Sequence, residues 1–211
     1  MSAQNPIKFD AFSKLPHALV PAGIEVSKYA RDYVKLETDK DTKQGTRRFD
    51  WTSFKASVVG YEGDYLAFNK FKGIVIDPNE STVQIMVERI VKFLFDVFSV
   101  PMQEGDIRAL ISTIVATFIN VKEKSSNRFL DFNNSDDGHD SSWEYRIQLA
   151  FPIPDKPDHF YSLVTTIKLG ADASNASEWW GLVPSSSKIF SATIDAMELI
   201  VMKSFQNPEQ I

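Results

Sequence analysis

Cysteine is absent from the 211 residues. That excludes a disulfide framework, a thiolate nucleophile and a cysteine zinc site together, and an intracellular protein is the ordinary reading of such a chain. Histidine is scarce: His17, His139 and His159 lie far apart, and none sits in a metal-ligand spacing. No apolar run approaches the roughly 20 residues that a membrane-spanning helix needs. The opening MSAQNPIKFD has neither an apolar core nor a cleavage pattern, so no signal peptide is expected. Positive charge is also short. A net charge of −5 gives no general pull toward nucleic acid, and the one dense basic run, KQGTRR from Lys43 to Arg48, reads as a solvated loop or as a contact for anionic headgroups or glycans. The N-x-Ser triplets at Asn133 and Asn175 read as incidental without a secretory signal.

Catalytic signatures are missing too. There is no phosphate-cradling glycine loop, no G-x-S-x-G elbow and no H-E-x-x-H. The acidic stretch SDDGHD, Ser135 to Asp140, lacks the spacing of a calcium loop. The expectation is therefore no catalytic residue, no metal, no cofactor and no enzyme, the alternative being an enzyme whose site, such as a pair of carboxylates, is assembled only in space. What is present is a globular composition, 43% hydrophobic and 24% charged, without repeat or linker. It reads as one domain.

The first half is helical. Ala22–Leu36 carries an apolar stripe through Val26, Tyr29, Ala30, Tyr33 and Val34, with Pro21 at its start. A polar loop follows, from Thr38 to Arg48, and Asp50 caps a short helix bearing Trp51, Phe54 and Val58. Tyr65–Phe68 and Ile74–Ile76 are expected as short extended pieces. From Val83 to Val100 only Gln84, Glu88, Lys92 and Asp96 make a polar stripe, so this helix must be largely covered. A second helix from Asp106 to Asn120 makes a hairpin with it. Val87, Ile90, Val91, Leu94, Ile107, Leu110 and Ile114 are the candidate covering residues. Val100–Gly105 and the Val121–Ser142 connection are candidate hinges.

The period then changes to two. In WEYRIQLAF, Trp143, Tyr145, Ile147, Leu149 and Phe151 share one face, opposite Glu144, Arg146 and Gln148. In Phe160–Leu169, Tyr161, Leu163, Ile167 and Leu169 share a face with Thr165. In Lys188–Lys203, Phe190, Ala192, Ile194 and Ala196 oppose Ser191, Thr193 and Asp195, and the alternation slips near Met197, as at a bulge. The prolines of PIPDKPDH are expected to stop the first two strands. Helices first and strands afterwards predict an α+β fold with a mainly antiparallel sheet.

Such strands fit two settings. They suit a half-buried sheet in a soluble domain, or one that holds a lipid beneath its helices. They equally suit strands that cross a bilayer, since each reaches the length of about 9–11 residues required. Glu144, Arg146, Lys168 and Asp195 would then face a lumen, because Arg or Lys on the lipid side near the midplane costs about 2–4 kcal/mol. Unpaired backbone in hydrocarbon costs several kcal/mol per group, so crossing requires several chains in a closed barrel. The pair Trp179–Trp180 in SEWWGLVP reads either as loop packing or as an interfacial anchor.

In the order helix hairpin, SSWEYR, HFYSLVTTI, WWGLVPSSSK and IDAMELIV, the chain resembles the Cyt-like pore-forming toxins. The likeness to the lytic component of fungal volvatoxin A runs from LPHALVPAGIEV to the carboxyl end; to the Cyt δ-endotoxins of insecticidal bacteria it persists as a pattern of helix hairpins and long strands. The resemblance implies one domain over residues 1–211, helical layers flanking a central antiparallel sheet. It implies a soluble cytolysin of haemolysin or cardiotoxin type. Such a protein binds the lipid membrane of a target cell and self-associates there, and its long strands insert once the helices move away. No cofactor and no nucleic acid partner are implied. A relative can instead be non-lytic, binding lipid or restraining a lytic paralogue. Storage in the producing cell and action after release complete the expectation.

Overall fold

The computed structural model describes residues 12–38, 45–99, 104–119, 131–134, 141–174, 178–179 and 182–208. Two 3-10 turns, Phe12–Lys14 and His17–Leu19, lead into α1, Val20–Arg31, with Pro21 in the first turn where a missing N–H is tolerated. The helix is shorter than its apolar stripe implies. It ends before Tyr33, and Val34–Thr38 form β1, antiparallel to β2, Gly45–Phe49. The amide of Asp50 donates to the Tyr33 carbonyl at 2.9 Å and closes that hairpin. Tyr33 remains buried all the same, its ring 5.5 Å from Tyr29 and 5.3 Å from Phe54. The basic run is thus partly strand, with Gly45–Arg48 in β2 and Lys43 and Gln44 outside the described residues. Asp50 caps α2, Trp51–Val59, as its residue type predicts, accepting from the Ser53 amide at 2.9 Å.

Next comes β3, Leu66–Thr82, one strand of 17 residues where two short pieces are expected. Register shifts between Phe68 and Lys70 and between Ile76 and Asn79 take up the residues that interrupt the pattern. At Gly73 a Cβ would lie 2.6 Å from the Asp195 carboxylate on the neighbouring strand, so that side chain would have to turn aside for any larger residue. Thr82 then caps α3, Val83–Val97, and α4 spans Glu104–Ile119. Among the described residues no helix is long and apolar enough to cross a membrane.

The sheet order is β3-β7-β6-β5-β4, antiparallel throughout, with β4 at Asp131–Asn134, β5 at Ser141–Ile153, β6 at Lys156–Ala171 and β7 at Ser187–Met202. The prolines do not separate β5 from β6. Ile153 pairs with Lys156 across a tight turn in which Asp155 takes φ 61, a left-handed conformation that Asp tolerates. Pro152 lies beyond the β4 pairing, with a paired strand on one side only, and Pro157 falls in the register shift at the tip, outside both pairings. The bulge expected near Met197 is absent from β7. Its register with β6 runs unbroken from His159–Met202 to Ala171–Phe190. The alternation blurs there because both faces are covered.

Two cores result. On one face α3 and α4 bury the large apolar residues of β5, β6 and β7. On the other, α1, α2 and the 3-10 turns pack on Ala150, Phe160, Val164, Met197, Leu199 and Val201. Ile90 is fully buried in the first core. Ile90→Ala is expected to lower unfolding free energy by about 2–5 kcal/mol in urea titration, the usual cost of such a cavity.

Candidate functional site

Register places the strand candidates in rows. Trp143 lies opposite Leu169, and Leu169 opposite Ala192; Tyr145, Ile167 and Ile194 form the next row. Ile147, Thr165 and Ala196 follow, then Leu149, Leu163 and Glu198, then Phe151, Tyr161 and Ile200. Phe190 pairs with Ala171 at the far end. All eleven apolar candidates therefore share one sheet face. All but the half-buried Tyr161 belong to the core under α3 and α4. Val87, Ile90, Val91, Leu94, Leu110 and Ile114 are buried against them, and Ile107 packs at the margin. At one edge the Phe98 and Phe151 rings meet edge-on at 5.0 Å.

The charged residues share the opposite face. Glu144 faces Lys168, which faces Thr193; Arg146 faces Thr166, which faces Asp195. This polar region is only partly covered. The Trp51 indole N–H donates to Thr166 Oγ1 at 2.8 Å, and the Phe49 amide to Glu144 at 3.3 Å. The four charges found by reading alternation are thus one surface.

Glu198 breaks the pattern, and sequence reading missed it. It is fully buried on the apolar face, accepting from the Ser99 amide at 2.8 Å, the Ser99 hydroxyl at 2.7 Å and Asn69 Nδ2 at 2.6 Å, with Lys70 Nζ at 4.0 Å. A buried carboxylate needs such partners. Asn69 is the extra residue of the β3 bulge, and Ser99 follows the end of α3. The signal was the lone acid in AMELIVM, where the alternation blurs.

Trp179 needs correction as an interfacial anchor. It is fully buried, and its indole N–H donates to Ser141 Oγ at 2.7 Å. A ring enclosed at the end of the apolar core is not at the surface to meet a headgroup. Trp180 and parts of both candidate hinges lie outside the described residues. Among the described residues no group of three His, Asp or Glu side chains could hold a metal.

Residues 63–164 match the family described as Bacillus thuringiensis toxin. The match takes in β3, α3, α4, β4, β5 and the first half of β6. A solved structure titled delta-endotoxin is similar at TM-score 0.73 and 13% identity, covering 96% of this chain and 87% of that one. The activated Cyt2Ba monomer from Bacillus thuringiensis subsp. israelensis is similar at TM-score 0.72 and 13% identity, covering 89% of this chain and 94% of that one. The fold is that of the Cyt δ-endotoxins, helices on both faces of a central antiparallel sheet. No curated protein matches the chain in sequence.

The turn bearing Trp179 is pinned to β7 in this Cyt fold. Lys188 Nζ donates to Glu178 at 2.8 Å, and Ser174 donates from its hydroxyl at 2.5 Å. The Lys188 contact, then Ser174, holds the Glu178 carboxyl at about 2, below its ordinary 4.5. A depressed carboxyl stabilises the fold above its ordinary value, and that contribution is lost as pH falls from 4.5 toward 2. Lys188→Ala should raise the Glu178 pKa toward 4.5, read by carboxyl NMR titration.

Proposed function

We propose that the chain is a pore-forming cytolysin. It binds lipid membranes as a soluble monomer, associates there, and permeabilises them with β5, β6 and β7. One observation carries this reading: from the row of Trp143 to the row of Ile147, three adjacent long strands turn large apolar side chains to one face and Glu144, Arg146, Lys168 and Asp195 to the other. A lipid-facing surface and a lumen-facing surface need that division. The strands have 13, 16 and 16 residues, more than the span of about 9–11 that a bilayer requires. Backbone pairing between copies would close the barrel, which makes self-association part of the mechanism. The matched Bacillus thuringiensis toxin family supports a toxin of this kind, acting without enzymatic chemistry.

The test is dye release from liposomes of defined composition, with sizing of detergent-stable oligomers from the same sample. Leakage with an oligomer is the expected result. Membrane binding without leakage would instead fit a non-lytic relative that restrains a lytic partner. Ile147 is a poor place for a charge probe, since it is buried in the soluble core. Thr193 is exposed on the polar face. Thr193→Lys should leave the leakage rate unchanged and shift planar-bilayer currents toward anions, as a ring of lysines in a lumen would.

A further inference from the structure

The two helical layers are attached by different chemistry. Beneath α1 and α2, polar side chains of the sheet are hydrogen-bonded to the helices. Gln148 Nε2 donates to the Gly23 carbonyl at 3.2 Å and to Ser162 Oγ at 3.0 Å, while the Ser27 hydroxyl donates to Gln148 Oε1. Trp51 is bonded to Thr166, and the Tyr29 hydroxyl to Ser57. After β7 the chain returns to this layer, where Asn207 donates to Asp32 at 2.9 Å and to Glu25 at 3.3 Å.

Beneath α3 and α4 the contact is apolar, and two of its polar groups are left over. Tyr145 OH and Thr165 Oγ1 are buried on that face without a hydrogen-bond partner. Each such group gives up its bonds to water and gains none in return. Among the described residues, the polar ties of α3 to the rest of the chain lie at its ends. The Val83 and Gln84 amides donate to the Ser186 and Pro184 carbonyls at its start, and Ser99 meets Glu198 at its finish.

We infer that the bilayer-facing surface is uncovered on one side only: α3 and α4 leave the sheet, while α1 and α2 stay docked. This rests on the pore reading above. In water, apolar burial holds both layers. Acyl chains are as apolar as Leu, so they can replace α3 and α4 against the sheet with little loss. They cannot replace the hydrogen bonds to Gln148 and Thr166. The face under α1 and α2 is also apolar where they sit, at Ala150, Phe160, Val164, Met197, Leu199 and Val201, so water in a lumen would not displace them. Glu198 lies in the row where that packing begins, on the face turned to lipid. Release requires breaking its bonds to Ser99, and its charge sets the level at which lipid contact ends.

A chain without cysteine permits clean locks. Ser27→Cys/Gln148→Cys ties α1 to β5, and Asn69→Cys/Ser99→Cys ties the end of α3 to β3, both between side chains in hydrogen-bond contact. Leakage is measured on vesicles of phosphatidylcholine, phosphatidylserine and cholesterol, oxidised and reduced. The oxidised α1 lock should leak like its reduced form. The oxidised α3 lock should lose leakage and regain it on reduction. Leakage blocked by the oxidised α1 lock, or unaffected by the α3 lock, overturns the inference. Amide exchange of the unmodified chain on the same vesicles should show α3 and α4 losing protection while α1 keeps it. Loss of protection in both layers, or in neither, also overturns it. An unmodified chain that does not leak sinks the pore reading, and the exchange pattern then decides between one-sided and two-sided opening.

Discussion

A sheet whose apolar face is this large cannot stand in water uncovered, and the rest of the molecule follows from that constraint. Trp143, Tyr145, Ile147, Leu149, Leu163, Ile167, Leu169, Phe190 and Ile194 form a continuous surface. At roughly 25 cal/mol per Å² of apolar area removed from water, covering it is a dominant favourable contribution to folding. α3 is shaped for that task, with eight buried residues among its 15. The second face needs cover only toward one end, which is why α1 and α2 sit there and the charged rows remain half-open.

What could be read from the chain depended on whether a local period matched a single environment. α3 has one narrow polar stripe, and β5 has faultless alternation as far as Leu149, so both were legible to within a few residues. The shared face of the eleven strand candidates was legible for the same reason. β1 and β2 were not. Tyr33 and Val34 continue the stripe of α1 in sequence, yet the hairpin pairing and the Tyr33 carbonyl bond to Asp50 outweigh that local preference. β3 was hidden because two bulges shift its alternation at Asn69 and near Pro78.

The candidate site was legible as faces and illegible as contacts. Alternation assigns Glu144, Arg146, Lys168 and Asp195 to one side, but cannot show that Glu198 is enclosed by Ser99 and Asn69, which lie 99 and 129 residues away in sequence. Trp179 shows the same limit. A Trp in a glycine- and proline-flanked run has the composition of a surface loop, and only the Ser141 bond and the end of the apolar core account for its burial.

The β6–β7 ladder has no bulge along its whole length, and the β5–β6 ladder has one only at its tip beside Pro152. These three strands are therefore mechanically one plate. It can tilt, slide or change solvent without surrendering an internal hydrogen bond. β3 is joined to that plate through a seam interrupted twice. A load on the sheet would concentrate at that seam, leaving the plate's internal geometry intact while its border gives way.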